Sequence, residues 1–265
     1  MSKGKVLIIG SNATRIEVRG GTGATGQYLN ETVVPAMALV EAGYEIVLAT
    51  PNGMKPYIDP ASDDAGHFDN DQAAYERGKA FYETDPAMNQ PRTLRSVIGE
   101  GLDNFVGVFV PGGQAPGVDL MQDAETGVIL RHFHDRGQPT ALLCHGPIAI
   151  ASAIDDAAGF RAALIAGDTA KAADLAKGWP YAGYNMTIFS NSEEKVVEEH
   201  ILHDKLFFNV ADALEIAGGK VITNPVNFEP NVIEDRELIT GQNPRSDHPL
   251  AATLVAALDQ SLAAA

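Results

Sequence analysis

The sequence predicts an α/β fold in which helices cover both faces of a doubly wound, mostly parallel sheet. Three continuous apolar runs, Lys5–Ile9, residues 44–49 and Phe105–Val110, are typical of strands that are buried on both faces. Between the first two, residues 30–42 have the apolar spacing of a helix that stops at Gly43. A strand, a helix and a second strand in this order predict a parallel crossover unit.

Further along the chain, helical and apolar patterns continue to alternate. They predict a helix over residues 119–136, a strand over Thr140–Leu143, a helix over 148–154, strands over 186–189 and 220–223, and an alanine-rich helix over 250–262. This alternation is typical of doubly wound proteins.

Two segments interrupt the alternation. Residues 59–104 are polar and acidic and separate two core strands by far more than an ordinary loop, so we expect a cap or lid there. Residues 160–180 form a second, alanine-rich helical insertion, which we expect over the same end of the sheet. Because no Ser/Gly-rich linker flanks either segment, we predict that residues 1–265 form a single domain.

Composition limits the classes of partner. The formal net charge of −16 argues against binding to a nucleic-acid backbone, because that affinity depends on clustered lysine and arginine. No apolar run approaches the roughly 18 residues of a membrane-spanning helix, and a single cysteine excludes an internal disulfide. We therefore expect a cytoplasmic protein that binds neither nucleic acid nor membrane.

Cys144 lies between the predicted strand Thr140–Leu143 and the predicted helix over residues 148–154. A strand-to-helix elbow of this kind lifts a nucleophile out of the end of a sheet. Backbone N–H groups at the start of the helix are expected to favour the reactive thiolate. The alternative is an inert buried cysteine, which is the commoner environment of a free thiol. The elbow favours the nucleophile.

Other patterns fit a cofactor or a metal less well. Residues 21–26 match the string G-x-G-x-x-G, but they do not directly follow the first strand, as a dinucleotide-binding loop must. His132 and His134 lie two apart on a predicted helix and therefore point to different faces. His200 and His203 have better spacing, but an exposed helix face explains them more simply. We predict no cofactor and no obligatory metal.

Four motifs give the chain a family resemblance. They are ALLCHGP at residues 141–147, VPGG at 110–113, DPAS at 59–62 and LITGQNP at 238–244. With these motifs the chain resembles the ThiJ/PfpI superfamily, relatives of the class I glutamine amidotransferases and of the Parkinsonism-associated protein deglycase. Within it, the chain is similar to the branch of glyoxalase III and the stress-induced holding chaperones. The resemblance implies a flavodoxin-like fold.

The resemblance also implies a role for Glu31. In that branch a carboxylate on the first helix contacts the thiol, and the stretch TGQYLNE at residues 25–31 places Glu31 there. The position of Glu31 in the sequence supports the same role, because Glu31 opens a helix directly after the first predicted strand, at the carboxyl end of the sheet. We expect burial and a neighbouring thiolate to raise the pKa of Glu31, so that it exchanges a proton near neutral pH as a general acid/base.

The relatives complete a triad with a histidine and an acid. His145 follows the nucleophile, and its orienting acid lies just after the next strand, where this chain has Glu193 and Glu194. The spacing of the relatives selects Glu194, while a shift of one residue would select Glu193.

The resemblance and the glycine pair also predict substrate contacts. Gly112 and Gly113 allow close approach to the reacting atom, and the N–H groups of Gly113 and His145 are expected to form an oxyanion hole. Gln114, assigned here to substrate binding, stands where many relatives have histidine, which affects substrate preference.

Together these residues imply a cofactor-independent glyoxalase III that converts methylglyoxal into D-lactate through a Cys144 hemithioacetal, with protein deglycation as a related activity. The alternatives are a cysteine amidohydrolase or peptidase with the same triad, and a holding chaperone with an exposed apolar surface. The expected partners are a small 2-oxoaldehyde and, by resemblance, a second copy of the chain in a homodimer.

Overall fold

A seven-stranded sheet forms the centre of the fold in the computed structural model, which describes residues 2–264. The strands of this sheet and of two smaller ones are β1 (Lys5–Ile9), β2 (Arg15–Val18), β3 (Gly21–Ala24), β4 (Glu45–Thr50), β5 (Arg92–Thr93), β6 (Phe105–Val110), β7 (Thr140–Leu143), β8 (Asn185–Met186), β9 (Lys220–Val221), β10 (Val232–Asp235) and β11 (Leu238–Gly241).

The central sheet has the strand order β10-β11-β7-β6-β1-β4-β5. β10 pairs antiparallel with β11, and the other neighbouring strands run parallel. β6 lies in the middle with β1 beside it, and the β1 residues Val6, Leu7, Ile8 and Ile9 are fully buried. This confirms the predicted fold class, a mostly parallel, flavodoxin-like sheet covered by helices.

The helices are α1 (Leu29–Glu41), α2 (Gln72–Thr84), α3 (Pro86–Asn89), α4 (Leu94–Glu100), α5 (Ala124–Asp135), α6 (Ala157–Ile165), α7 (Thr169–Leu175), α8 (Asn191–Val197), α9 (Val210–Ile216) and α10 (Asp247–Ala264). α1 packs against α10, and α5 packs against the segment that follows β7. Gly43 ends α1 as predicted, with φ of 93° in the left-handed region.

Two predicted helices differ from the structure. The segment after β7 is a 3₁₀ helix over Gly146–Ala153 and not the α-helix predicted over 148–154. The helix predicted over 119–136 is divided: Asp123 caps α5 by accepting a hydrogen bond from the backbone N–H of Thr126. The apolar pattern spans both pieces, which is why it did not reveal the break.

The predicted strands at 186–189 and 220–223 are also different. They shorten to β8 and β9, which pair with each other outside the central sheet. The place beside β7 is taken by β11, and β10 forms the edge. β10 carries Glu234 and Asp235, and so lacks the continuous apolar run by which buried strands are recognised.

The two insertions lie in different surroundings. The first contains α2, α3 and α4, and its residues Gly66, His67, Phe68 and Asp69 line a large cavity described below. The second contains α7 and most of α6 and packs beside the 3₁₀ helix, where the Trp179 indole donates to the carbonyl of Ile150. The single-domain organisation stays a prediction.

Within residues 2–264, no helix is both long and apolar enough to cross a bilayer.

Candidate active site

Cys144 lies at the predicted elbow, directly after β7. Its φ of 61° places a non-glycine residue in the left-handed region, a strained conformation that is typical of functional sites. The backbone around it is held on both sides: Cys144 N donates to the Gly241 carbonyl at 2.8 Å, and its own carbonyl accepts from Phe189 N at 3.0 Å. The side chain is only 1 % exposed, but it forms part of the wall of the cavity.

Glu31 lies in the first turn of α1 beside this sulfur. Gly113 N donates to its Oε2 at 3.1 Å, whereas Oε1 is buried without a hydrogen-bond partner. Burial raises the pKa of Glu31 to about 8, against which hydrogen bonds from the Cys144 thiol and the backbone act more weakly. The expected upward shift of its pKa is therefore found, and Glu31 is mostly protonated at pH 7.

Gly112 explains how the two groups come so close. A Cβ at this position would collide with Glu31 Oε2 and would lie 2.7 Å from the Cβ of Cys144. The absence of a side chain at residue 112 thus leaves the room in which the thiol and the carboxyl meet.

The expected thiolate is wrong for this resting structure. Burial raises the pKa of the Cys144 thiol well above its usual range, and the Glu31 charge raises it further, whereas the backbone N–H of His145 acts in the opposite direction. The single N–H at the elbow is too weak to offset complete burial. The thiol is therefore protonated at rest, and a base must remove its proton before attack.

His145 is the base that the geometry offers. Its Nδ1 lies 3.4 Å from Cys144 Sγ, and its Nε2 lies 2.8 Å from Glu194 Oε2. A carboxylate at Nε2 favours the tautomer in which Nε2 carries the proton and Nδ1 is free to accept one from the thiol. The Phe189 ring stacks on the imidazole, with 4.4 Å between the ring centroids, and restricts its orientation.

Glu193 and Glu194 are both buried, but they face different groups. Glu194 contacts His145, as the spacing of the relatives indicated. Glu193 accepts from Ser190 N at 3.0 Å, from Phe228 N at 2.7 Å, and from the side-chain amides of Gln242 and Asn243 at 3.0 and 2.9 Å. Ser190 and Glu193 form a capping box at the start of α8, a motif visible in the sequence.

The glycine loop differs from the prediction in two respects. The N–H of Gly113 donates to Glu31, so in this geometry it does not face an oxyanion, and the His145 N–H points at the sulfur. Gln114 donates from Nε2 to Glu194 Oε1 at 2.8 Å. The side-chain amide of Gln114 is thus hydrogen-bonded to the acid of the triad, although Gln114 also borders the cavity.

The cavity above these groups has a volume of about 640 Å³, which is within the range of small-molecule sites. Its walls include Tyr28, Phe189 and Phe228, and its outer part includes His200 and Arg245. None of these five residues was predicted to contact substrate, whereas Gly113 and Gln114, which also border the cavity, were. Phe228 adopts a left-handed backbone conformation, with φ of 63°, and its N–H donates to the Glu193 carboxylate. A contact between residues so far apart in the sequence is not visible in a local pattern.

The characteristic sequence of the DJ-1/PfpI family matches residues 24–159, just over half of the chain. The chain belongs to the DJ-1/PfpI family. The matched region contains Glu31, Gly112, Cys144 and His145, whereas Glu194 lies beyond it. The predicted family is thus confirmed.

Two kinds of relative place the chain within the DJ-1/PfpI family. The protein/nucleic acid deglycase HchA of Staphylococcus aureus is 27 % identical over 258 residues, covering 94 % of this chain and 77 % of the relative. Among solved structures, the rapid encystment protein of Francisella tularensis has a TM-score of 0.73 at 20 % identity, covering 96 % of this chain and 99 % of that one. Glyoxalase III of Candida albicans has a TM-score of 0.66 at 20 % identity, covering 96 % and 97 %. At these identities the two structures establish the fold.

The remaining histidines lie apart from this DJ-1/PfpI site or at its rim. His132 Nε2 lies 3.5 Å from Asp103, and His134 Nδ1 lies 2.8 Å from Glu237. His203 contacts the carbonyl of Glu199. Across the described part of the chain, no three His, Cys, Asp or Glu side chains form a metal-binding group.

Proposed function

We propose that this protein is a cofactor-independent glyoxalase of type III, which converts methylglyoxal and related 2-oxoaldehydes into 2-hydroxy acids, D-lactate in the case of methylglyoxal. One observation carries the proposal: Glu31, with a pKa of about 8, lies beside Cys144, and Cys144 borders a cavity of about 640 Å³. The similarity to HchA, a relative named as a protein/nucleic acid deglycase, supports this proposal, and glyoxalase III of Candida albicans shares the fold.

In the first step, His145 Nδ1 takes the proton of the Cys144 thiol as the sulfur adds to the aldehyde carbon. The new S–C bond forms as the C=O π bond breaks, and the oxygen receives the proton from the histidine. The product is a neutral hemithioacetal, so the buried site does not have to hold a net charge.

In the second step, ionised Glu31 removes the proton from the former aldehyde carbon, and the hydroxyl proton of that carbon passes to the former ketone oxygen, which gives an enediolate. The protonated carboxyl then returns this proton to the neighbouring carbon, which gives the thioester of a 2-hydroxy acid. Water hydrolyses the thioester, releases the acid and restores the thiol. The net reaction is the addition of one water to the 2-oxoaldehyde, and a carboxyl with a pKa near ambient pH suits both halves of the transfer.

Gln114 and Glu194 act on this chemistry through His145. Glu194 fixes the imidazole tautomer through Oε2, and Gln114 holds the other oxygen of the same carboxylate. We therefore assign Gln114 to positioning of the triad.

Homodimerisation and the absence of nucleic-acid partners stay predictions. The second of these rests on the net charge alone.

The proposal is tested by incubating the purified protein with methylglyoxal and measuring D-lactate enzymatically. Wild type is expected to turn over without glutathione, and Cys144→Ala is expected to lose at least about 10³-fold in kcat/KM. Equal turnover by the two proteins would rule the mechanism out. His134→Asn, which changes a histidine outside the cavity, serves as the matched control.

The same Cys144, His145 and Glu194 geometry also supports an amidohydrolase or peptidase. That chemistry needs no second carboxyl beside the sulfur, so Glu31 favours the glyoxalase. Mass spectrometry after incubation with amide substrates separates the two, because a hydrolase would accumulate an acyl group on Cys144 and a glyoxalase would not.

A further inference from the structure

The outer wall of the cavity carries a cation without a counterion. Arg245 is exposed and borders the same cavity as Cys144, and no carboxylate or other side chain pairs with its guanidinium among residues 2–264. Most other lysines and arginines of the described chain pair with an acid, as expected in a protein with a net charge of −16. Seven other lysines and arginines of the described chain also lack an acidic partner, but Arg245 is the only lysine or arginine among the described residues that borders this cavity.

The backbone that carries Arg245 is fixed. Its N–H donates to Asn243 Oδ1 at 3.1 Å, and Asn243 Nδ2 donates at 2.9 Å to Glu193, the residue before Glu194. The turn formed by Pro244–Ser246 therefore has a defined position relative to the triad, and the neighbouring residues Asn243, Ser246 and Asp247 are buried. The guanidinium extends from a rigid base, which reduces the entropy lost when it binds a ligand.

The charges around Arg245 do not neutralise it. The nearest acid along the chain, Asp247, is buried, and its carboxylate accepts from Asn30 Nδ2 at 3.0 Å and from His248 N at 2.6 Å. Burial also raises the pKa of Asp247. His200 and His248 add exposed N–H donors to the same wall, whereas Asp69, from the first insertion, is the exposed acid.

The cavity is also larger than the reacting group needs. Methylglyoxal has five heavy atoms, whereas a volume of about 640 Å³ is typical of sites for ligands several times that size. Cys144 on the floor and Glu31 behind it are mainly protonated near neutral pH, so neither group repels an anion. An anionic substrate would thus meet one unpaired cation at the wall, Arg245, with Asp69 as the exposed acid of the same cavity.

We propose that Arg245 forms an anion subsite, which binds a carboxylate or phosphate on the part of the substrate remote from the 2-oxoaldehyde. This inference rests on the proposed glyoxalase function and extends it to a substrate class: 2-oxoaldehydes and their adducts that carry a negative charge. The planar guanidinium matches either anion through two parallel N–H donors.

The test compares two substrates of nearly equal size, 4,5-dioxopentanoate and its neutral methyl ester. We expect wild type to prefer the acid by about tenfold in kcat/KM, the value of one charge-assisted pair. Arg245→Ala is expected to abolish the preference, and Arg245→Lys to retain part of it. Arg77→Ala removes an exposed arginine outside the cavity and controls for the change in net charge.

Methylglyoxal separates failure of the subsite from failure of the function. If wild type does not turn over methylglyoxal, the proposed function fails. If it does, but the preference for the acid is equal in wild type and Arg245→Ala, the subsite is overturned. It is also overturned if Arg245→Ala loses methylglyoxal turnover to the same extent. Inhibition of methylglyoxal turnover by acetate and by inorganic phosphate, at constant ionic strength, identifies which anion the subsite prefers.

Discussion

A histidine and a glutamate pair at each end of the sheet, in a buried pair at one end and a partly buried pair at the other. At the carboxyl end, His145 Nε2 lies 2.8 Å from Glu194. At the amino end, His134 Nδ1 lies 2.8 Å from Glu237, whose backbone carbonyl accepts from the first residue of β7, Thr140. The two pairs have the same chemistry and nearly the same length.

Their surroundings differ. The free nitrogen of His145 faces the thiol of Cys144, and both side chains border the cavity. Beside His134, the Tyr184 hydroxyl donates to the Glu237 carboxylate at 3.1 Å, and the Arg236 guanidinium lies 3.4 Å from the Tyr184 ring centroid. A histidine–carboxylate pair is therefore a site only where a nucleophile and an open cavity accompany it; elsewhere it stabilises the fold.

The sharpest test of this contrast exchanges each histidine for asparagine. His145→Asn removes the base and is expected to lower kcat/KM for methylglyoxal by about 10²–10⁴-fold, and also to lower Tm, because the buried Glu194 loses its partner. His134→Asn is expected to leave the rate unchanged and to lower Tm by several degrees, because a partly buried hydrogen-bond network is broken. Steady-state kinetics and thermal denaturation check both, and the reverse pattern would refute the comparison.

Glu31→Gln tests the proton transfer at the carboxyl end. We expect kcat/KM to fall by about 10²-fold or more, since the amide cannot move a proton between carbons. In wild type, kcat/KM is expected to rise with pH until about 8 as Glu31 ionises, and this rise is expected to vanish in the variant. A pH–rate profile that is the same in both proteins would contradict the assignment.

Glu31→Gln, which lowers the rate, is expected to raise the stability of the fold relative to wild type as pH increases. The pKa of Glu31 is raised from 4.5 to about 8 on folding, so between these values the unfolded chain holds fewer protons than the folded one. The free energy of unfolding of wild type therefore falls as pH rises through this window. Glu31→Gln lacks this contribution, and its Tm relative to wild type is expected to increase from pH 5 to pH 8, which differential scanning calorimetry measures.

Gln114→Leu is expected to have a smaller effect, about tenfold in kcat with little change in KM, because Glu194 loses one of two partners. Gln114→His, which restores an N–H donor, is expected to recover most of the rate. An increase in KM without a change in kcat would instead place Gln114 in substrate binding.

Glu193→Gln separates the two neighbouring acids. The loss of a buried acceptor for several N–H donors is expected to lower Tm by several degrees and to raise KM through the wall at Phe228, while kcat changes little. A kcat loss as large as that of Glu194→Gln would show that Glu193 acts on His145.

The elements of the fold that were predicted most reliably are those that depend on the local sequence pattern. β1, β6 and β7 agree residue for residue with the apolar runs, because a strand buried on both faces must be continuously apolar. β10 was missed because half of its residues are acidic. The shortened strands near 186 and 220 contain β-forming residues, but their pairing partners are chosen by the tertiary structure.

The features of the site likewise fall into those that local sequence predicts and those that depend on the tertiary structure. Adjacency in the chain places His145 beside Cys144, and family spacing places Glu194 within reach. The protonated state of the thiol was not predictable, since it depends on complete burial and on Glu31, which is distant in sequence. Arg245 directly follows the motif at residues 238–244, but its unpaired charge becomes visible only when the cavity around it is known.

The central claim is that the sulfur at the carboxyl end of the sheet bonds to the aldehyde carbon. Intact-protein and peptide mass spectrometry of Glu31→Gln, quenched during incubation with methylglyoxal, tests it most directly, because this variant forms the hemithioacetal but cannot move its proton. We expect the added mass of one methylglyoxal on the peptide that contains Cys144, and none on that peptide in Cys144→Ala. Turnover by wild type without any adduct on Cys144 in the variant would contradict the account.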